Sequence, residues 1–97
     1  MQAVVLELPY EGDHCGPCVY MLETAEEAMA PFGGRVRLEL LYLRQVDGAL
    51  RYNALSRELG RPAPIPSLFI NGKLYFEIIP AVDELREAIE EMLSSGG

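Results

Sequence analysis

His14-Cys15-Gly16-Pro17-Cys18 gathers both cysteines of the chain and its only histidine into five consecutive residues. Two thiols separated by two residues can close a disulfide within the first turn of a helix without large distortion. A helix N-terminus also favours an anion, through its unpaired N–H groups and its dipole, so Cys15 ionises there more easily than an isolated thiol. Cys18, one turn further in, is more shielded and keeps its proton longer. The chemistry that suits this arrangement is ordered. Cys15 thiolate attacks a substrate disulfide; Cys18 then attacks the mixed disulfide, releasing reduced substrate and closing Cys15–Cys18. Gly16 lets a substrate backbone approach, and Pro17 fixes φ in a helical turn where its missing N–H is not needed. His14, as imidazolium, would stabilise the Cys15 thiolate; it fits a water-facing loop residue equally well.

The same residues read as metal donors. Cys15, Cys18 and His14 are too few for a closed tetrahedral site in one chain, so a zinc ion or iron–sulfur cluster bridging two copies is the rival reading. A third is a domain that keeps the fold and binds without turnover.

A chain of 97 residues supports one domain, residues 1–97. Its 49% apolar and 24% charged residues are those of a folded globular protein. A net charge of −7 argues against nucleic acid and anionic membrane as partners, since both need clustered Lys and Arg. The start, Met1–Glu7, has no basic region and is interrupted by Glu7, so it is not expected to be a signal peptide. No apolar stretch has the length to cross a bilayer. The expected location is the cytosol, where thiols are held reduced and a close cysteine pair is more often catalytic or metal-binding than structural. A monomer without any cofactor beyond a redox-active Cys15–Cys18 disulfide is expected.

These residues need elements to position them. Ala3–Leu8 reads as a strand stopped by Pro9, and Pro9–His14 as a loop. From Cys15 a helix follows, with Val19, Leu22, Ala25 and Met29 on its apolar face, ended by Pro31 and Gly33-Gly34. Val36–Leu43 is a second strand, partly buried on both faces. Asp47 is expected to cap a second helix running to Leu59 with the stripe Tyr52, Leu55 and Leu59, and Gly60 to end it. Arg61–Pro66 is proline-rich and irregular. Ser67–Ile70 and Lys73–Ile79 form a hairpin about Asn71-Gly72. Pro80 opens a last helix with Val82, Leu85, Ile89, Met92 and Leu93 inward, and Ser94–Gly97 is a frayed tail. The fold class is α/β: order β-α-β-α-β-β-α, one four-stranded mixed sheet, helices on both faces, the first two strands parallel.

Cys15-Gly16-Pro17-Cys18 after a strand, Ile65-Pro66-Ser67 before the third strand, and this element order resemble the thioredoxin-like superfamily, in a small, divergent form. The resemblance spans the whole chain as one domain but is sharp only at those two motifs. It implies a thioredoxin fold and thiol–disulfide oxidoreductase activity on protein disulfides, with electrons from a thiol or flavoprotein reductase. It implies that Pro66 is cis and faces the cysteine pair, with the Ile65 backbone pairing with extended substrate, so Gly16, Pro17, Ile65 and Pro66 would bind substrate. Thioredoxins typically carry tryptophan where His14 stands, and an aspartate near Pro9. Glu7 is the closest substitute, a desolvated carboxylate that would accept the proton of Cys18. Ile79-Pro80-Ala81-Val82-Asp83 departs from the stretch with which glutaredoxins hold glutathione.

Overall fold

The computed structural model describes residues 3–95. The elements are β1 (Val4–Tyr10), α1 (Gly16–Met29), β2 (Val36–Tyr42), α2 (Val46–Leu59), β3 (Leu68–Ile70), β4 (Lys73–Phe76) and α3 (Val82–Ser95). A 3-10 segment, Ala30–Arg35, joins α1 to β2. The sheet runs β2-β1-β3-β4, with β1 parallel to β2 and the other neighbours antiparallel. This is the mixed four-stranded sheet that the sequence implies.

β1 is central and is covered on both faces. Its residues Val4, Leu6, Leu8 and Tyr10 share one core with Cys18, Met21, Ala25 and Ala28 of α1 and Leu85 and Ile89 of α3. The opposite face carries a smaller core of Leu41, Leu55, Ala63 and Phe69, under α2. Period-two alternation separates the two sets, so α1 and α3 lie on one face and α2 on the other. Leu6, Leu8, Leu85 and Ile89 are fully buried; each such side chain stabilises the fold by about 1.5–3 kcal/mol relative to exposure. Arg86 of α3 fastens the two helices of the larger layer, donating from Nη2 to the Glu27 carbonyl at 2.9 Å near the end of α1.

Several boundaries differ from the sequence expectation. β1 continues through Pro9 to Tyr10 instead of stopping at Leu8. Val5 turns its N–H and C=O toward the β3 side, where they meet Asn71, so Pro9, four residues on, directs its missing donor to the same side. There the β1–β3 pairing has already ended at Glu7, and no ladder bond is lost. The buried face of α1 is rotated from the expected stripe: Cys18, Met21, Thr24, Ala25 and Ala28 are buried, with Val19, Leu22 and Met29 on its flanks. α2 begins one residue before Asp47, which lies in its first turn; Gln45 takes the N-cap position with no side-chain cap bond, and the helix ends at Gly60 with φ 84° as expected. β3 starts at Leu68, β4 stops at Phe76, and Ile78 beyond it is exposed. Asn71 and Gly72 both have positive φ, 50° and 84°, as a tight hairpin requires. Ser94 and Ser95 belong to α3 and are not a frayed tail; Gly96 and Gly97, like Met1 and Gln2, lie outside the described residues. No helix among the described residues is long and apolar enough to cross a membrane.

Candidate active site

The carboxyl end of β1 delivers the chain into the loop Glu11–His14, and two hydrogen bonds shape that loop. The Tyr10 hydroxyl donates to Asp13 Oδ1 at 2.9 Å, and the Cys15 N–H donates to the Gly12 carbonyl at 3.0 Å. Burial, and then the Asp13 carboxylate, push the Tyr10 phenol above its ordinary value. Tyr10 also stacks edge-on against Tyr42, with ring centroids 5.7 Å apart.

Cys15 is the N-cap of α1, with extended backbone and a half-buried side chain. Its Sγ accepts the Cys18 N–H at 3.2 Å. The sulfur thus occupies the position that a capping oxygen would take, against the positive end of the helix. Cys18 is fully buried under the larger core. The two sulfurs are joined in a disulfide, with Cα atoms 5.2 Å apart. Gly16 and Pro17 stand exposed between them as an outer lip, and Pro17 sits in the first turn where no N–H is required.

His14 is exposed, with its ring turned over Gly12: a Cβ on Gly12 would lie 3.0 Å from the imidazole. Among the described residues it donates no hydrogen bond to either sulfur. Ile65–Pro66 is a cis peptide. Its loop is tied to α2, since the Tyr52 hydroxyl donates to the Ala63 carbonyl at 2.6 Å and the Ala63 N–H to Ser56 Oγ at 3.0 Å. The antiparallel register of β1 and β3 puts this segment at the sheet end from which β1 leads to Cys15.

Glu7 is not at this site. It is buried, as expected, but it pairs in register with Phe69 on the α2 face, whereas Cys18 lies in the core of the opposite face. Arg51 of α2 holds both its oxygens, donating from Nε to Oε2 at 2.6 Å and from Nη2 to Oε1 at 2.9 Å. That bond raises the Arg51 guanidinium further. A carboxylate fixed in this fork on the far side of the sheet cannot take a proton from Cys18.

The carboxylate that does reach the sulfurs is Glu11, which sequence reasoning passed over as a loop residue. An oxygen of Glu11 and the Sγ atoms of Cys15 and Cys18 all lie within 4.8 Å of one another. The only signal for it in the sequence is an acid four residues ahead of Cys15 in a loop that must turn at Gly12. With the thiols reduced, Glu11, Cys15 and Cys18 offer three donors to a metal, one short of a closed tetrahedral set.

No family model matches the chain, and no curated protein matches it. Among solved structures it is similar to one described as "Structure of a malarial protein", with a TM-score of 0.65 and 14% identity, covering 95% of this chain and 99% of that one. At that identity the likeness is one of fold.

Proposed function

We propose that this chain is a thiol–disulfide oxidoreductase of thioredoxin-like fold that exchanges its Cys15–Cys18 couple with disulfides in protein substrates. The observation that carries the reading is the capping geometry: Cys15 Sγ takes the Cys18 N–H at the start of α1 while the bonded Cys18 sulfur is buried behind it. An exposed-side sulfur stabilised as an anion, backed by a shielded one, is what ordered disulfide exchange needs.

In the reducing direction Cys15 thiolate attacks one substrate sulfur. The substrate S–S bond breaks, its other sulfur leaves as a thiolate, and a mixed disulfide to Cys15 forms. Cys18 then gives up its proton, and Glu11 is the acceptor within reach. Cys18 sulfur attacks Cys15 Sγ, the second substrate thiolate departs, and the two electrons lost by the Cys15–Cys18 dithiol reside on the substrate. Gly16, Pro17, Ile65 and the cis Pro66 form the surface offered to substrate, and a thiol or flavoprotein reductase would return the couple to its dithiol form. This assigns the chain to a reducing, cytosol-like compartment.

Reduction of a generic protein disulfide by the dithiol form tests the reading; no turnover above the rate of a small dithiol, with the pair shown reduced, overturns it. Cys15→Ser abolishes turnover, and Cys18→Ser accumulates mixed disulfides. The three-donor cluster favours one other reading, metal binding by the reduced pair with Glu11. Stoichiometric metal in anaerobically purified protein would favour it over exchange.

A further inference from the structure

β2 forms one edge of the sheet, and among the described residues no strand pairs with its outer side. Leu43 N–H donates to the Tyr10 carbonyl at 3.2 Å, and β1 and β2 are in parallel register through Tyr10↔Tyr42. By alternation, Arg37, Glu39 and Leu41 turn their backbone groups toward β1, while Val36, Leu38 and Leu40 turn theirs outward. A seven-residue edge without proline or bulge is a template for another strand. Its side chains divide in the same way. Arg37 and Glu39 are exposed on the α2 face, 3.3 Å apart. Leu38 and Leu40 lie on the α1 face, where with Leu22 and Met29 they line an open groove of about 470 Å³.

We propose that this edge pairs with β2 of a second copy, antiparallel, about a twofold axis at Leu38. Leu38 then faces its own copy and Val36 faces Leu40, and these outward-bonding residues supply the hydrogen-bonded pairs. Arg37 faces Glu39 of the other strand, twice, in the close non-hydrogen-bonded positions. The charge pattern selects the partner: a cation and an anion two residues apart on one face become two cross-strand ion pairs when the strand is inverted on itself. The result is one continuous sheet with α1 of both copies on the same face. The two leucine-lined grooves meet beside the axis and cover apolar surface that each copy alone leaves wet.

The test is sedimentation velocity of the full, oxidised chain from micromolar to near-millimolar concentration. Each copy carries −7, so physiological salt is used, where repulsion beyond about 8 Å is screened. A concentration-dependent monomer–dimer equilibrium is expected. Arg37→Glu alone, or Glu39→Arg alone, weakens self-association by about tenfold or more, because like charges then face each other twice. Mixing those two single variants restores association as a heterodimer, since each strand again meets the opposite charge at both positions. Both side chains are more than half exposed, so the fold tolerates the changes. A chain that stays monomeric throughout, a dimer indifferent to the single changes, or a mixture that fails to recover overturns the proposal. So does a monomer that takes a foreign peptide along β2. None of these readouts depends on thiol chemistry.

Discussion

Arg51 reaches 44 residues back along the chain to hold Glu7 in a two-pronged fork. The Glu7 side chain is 9% exposed and that of Arg51 46%, so removing the cation leaves a carboxylate with little access to water. Breaking a fully buried pair costs about 3–5 kcal/mol; with Arg51 nearly half solvated, Arg51→Ala should cost about 1–3 kcal/mol by denaturant titration. Glu7→Gln should lower stability without changing disulfide turnover, and a loss of turnover would return Glu7 to the chemistry. Glu11 behaves in the opposite way. Glu11→Gln should slow resolution of a Cys15 mixed disulfide by about tenfold to a hundredfold in stopped-flow mixing, while formation of that mixed disulfide changes little. Unchanged resolution would remove Glu11 as the acceptor. The two sulfurs were legible in the sequence because their spacing is local and the helix that holds them follows at once. The placement of neither carboxylate was. A strand apolar on both sides does not reveal which face an odd residue takes, and the partner of Glu7 lies on a distant helix. The approach of Glu11 depends on how a short loop turns.

The elements themselves were largely readable, since each rests on local periodicity and on turn residues such as Asn71-Gly72 and Gly60. What escaped were contacts between elements. Pro9 reads as a stop when β1 is considered alone; only the early departure of β3 lets the strand pass through it. The rotation of the α1 face likewise follows from its packing on β1 and α3, which moves the buried stripe to Cys18, Met21, Ala25 and Ala28. Gly48 is a sharper case. It lies in the first turn of α2, where propensity alone makes Ala better than Gly by about 1 kcal/mol. A Cβ there would run into the backbone of Tyr42 at the end of β2. Gly48→Ala should therefore destabilise by about 2 kcal/mol, with the sign reversed from the helix scale; a stabilised variant in thermal unfolding would show that α2 does not dock so closely. At the same end of the sheet, where Tyr10 pairs in register with Tyr42, the raised Tyr10 phenol has a pH signature. The native state holds this proton more tightly than the unfolded chain, so the associated stability is complete below the ordinary value near 10.0 and is lost as pH rises through the higher native one. Tyr10→Phe should be less stable at neutral pH, having lost the Asp13 bond, and should show a shallower alkaline decline in denaturant midpoints measured from neutral pH upward.

At the scale of the whole molecule, the direction of the proposed exchange is a stability question, because the couple is tied by linkage to the unfolding of its two forms. The disulfide closes a loop with a sequence separation of only 3. Chain entropy then stabilises the oxidised form by about 2 kcal/mol, near the lower end for disulfides. The reduced form has an opposing gain: a Cys15 thiolate at the N-terminus of α1, in reach of the Cys18 N–H that it caps, is stabilised by about 0.3–1 kcal/mol. The difference favours the oxidised form by about 1 kcal/mol, which corresponds to about 20 mV toward the reducing side of an unfolded dithiol with the same sequence. Denaturant unfolding of the oxidised and reduced chains should give a higher midpoint for the oxidised chain. A reduced form more stable than the oxidised one would reverse the sign of the couple and make the protein a disulfide donor, with the thiolate cap outweighing the closed loop.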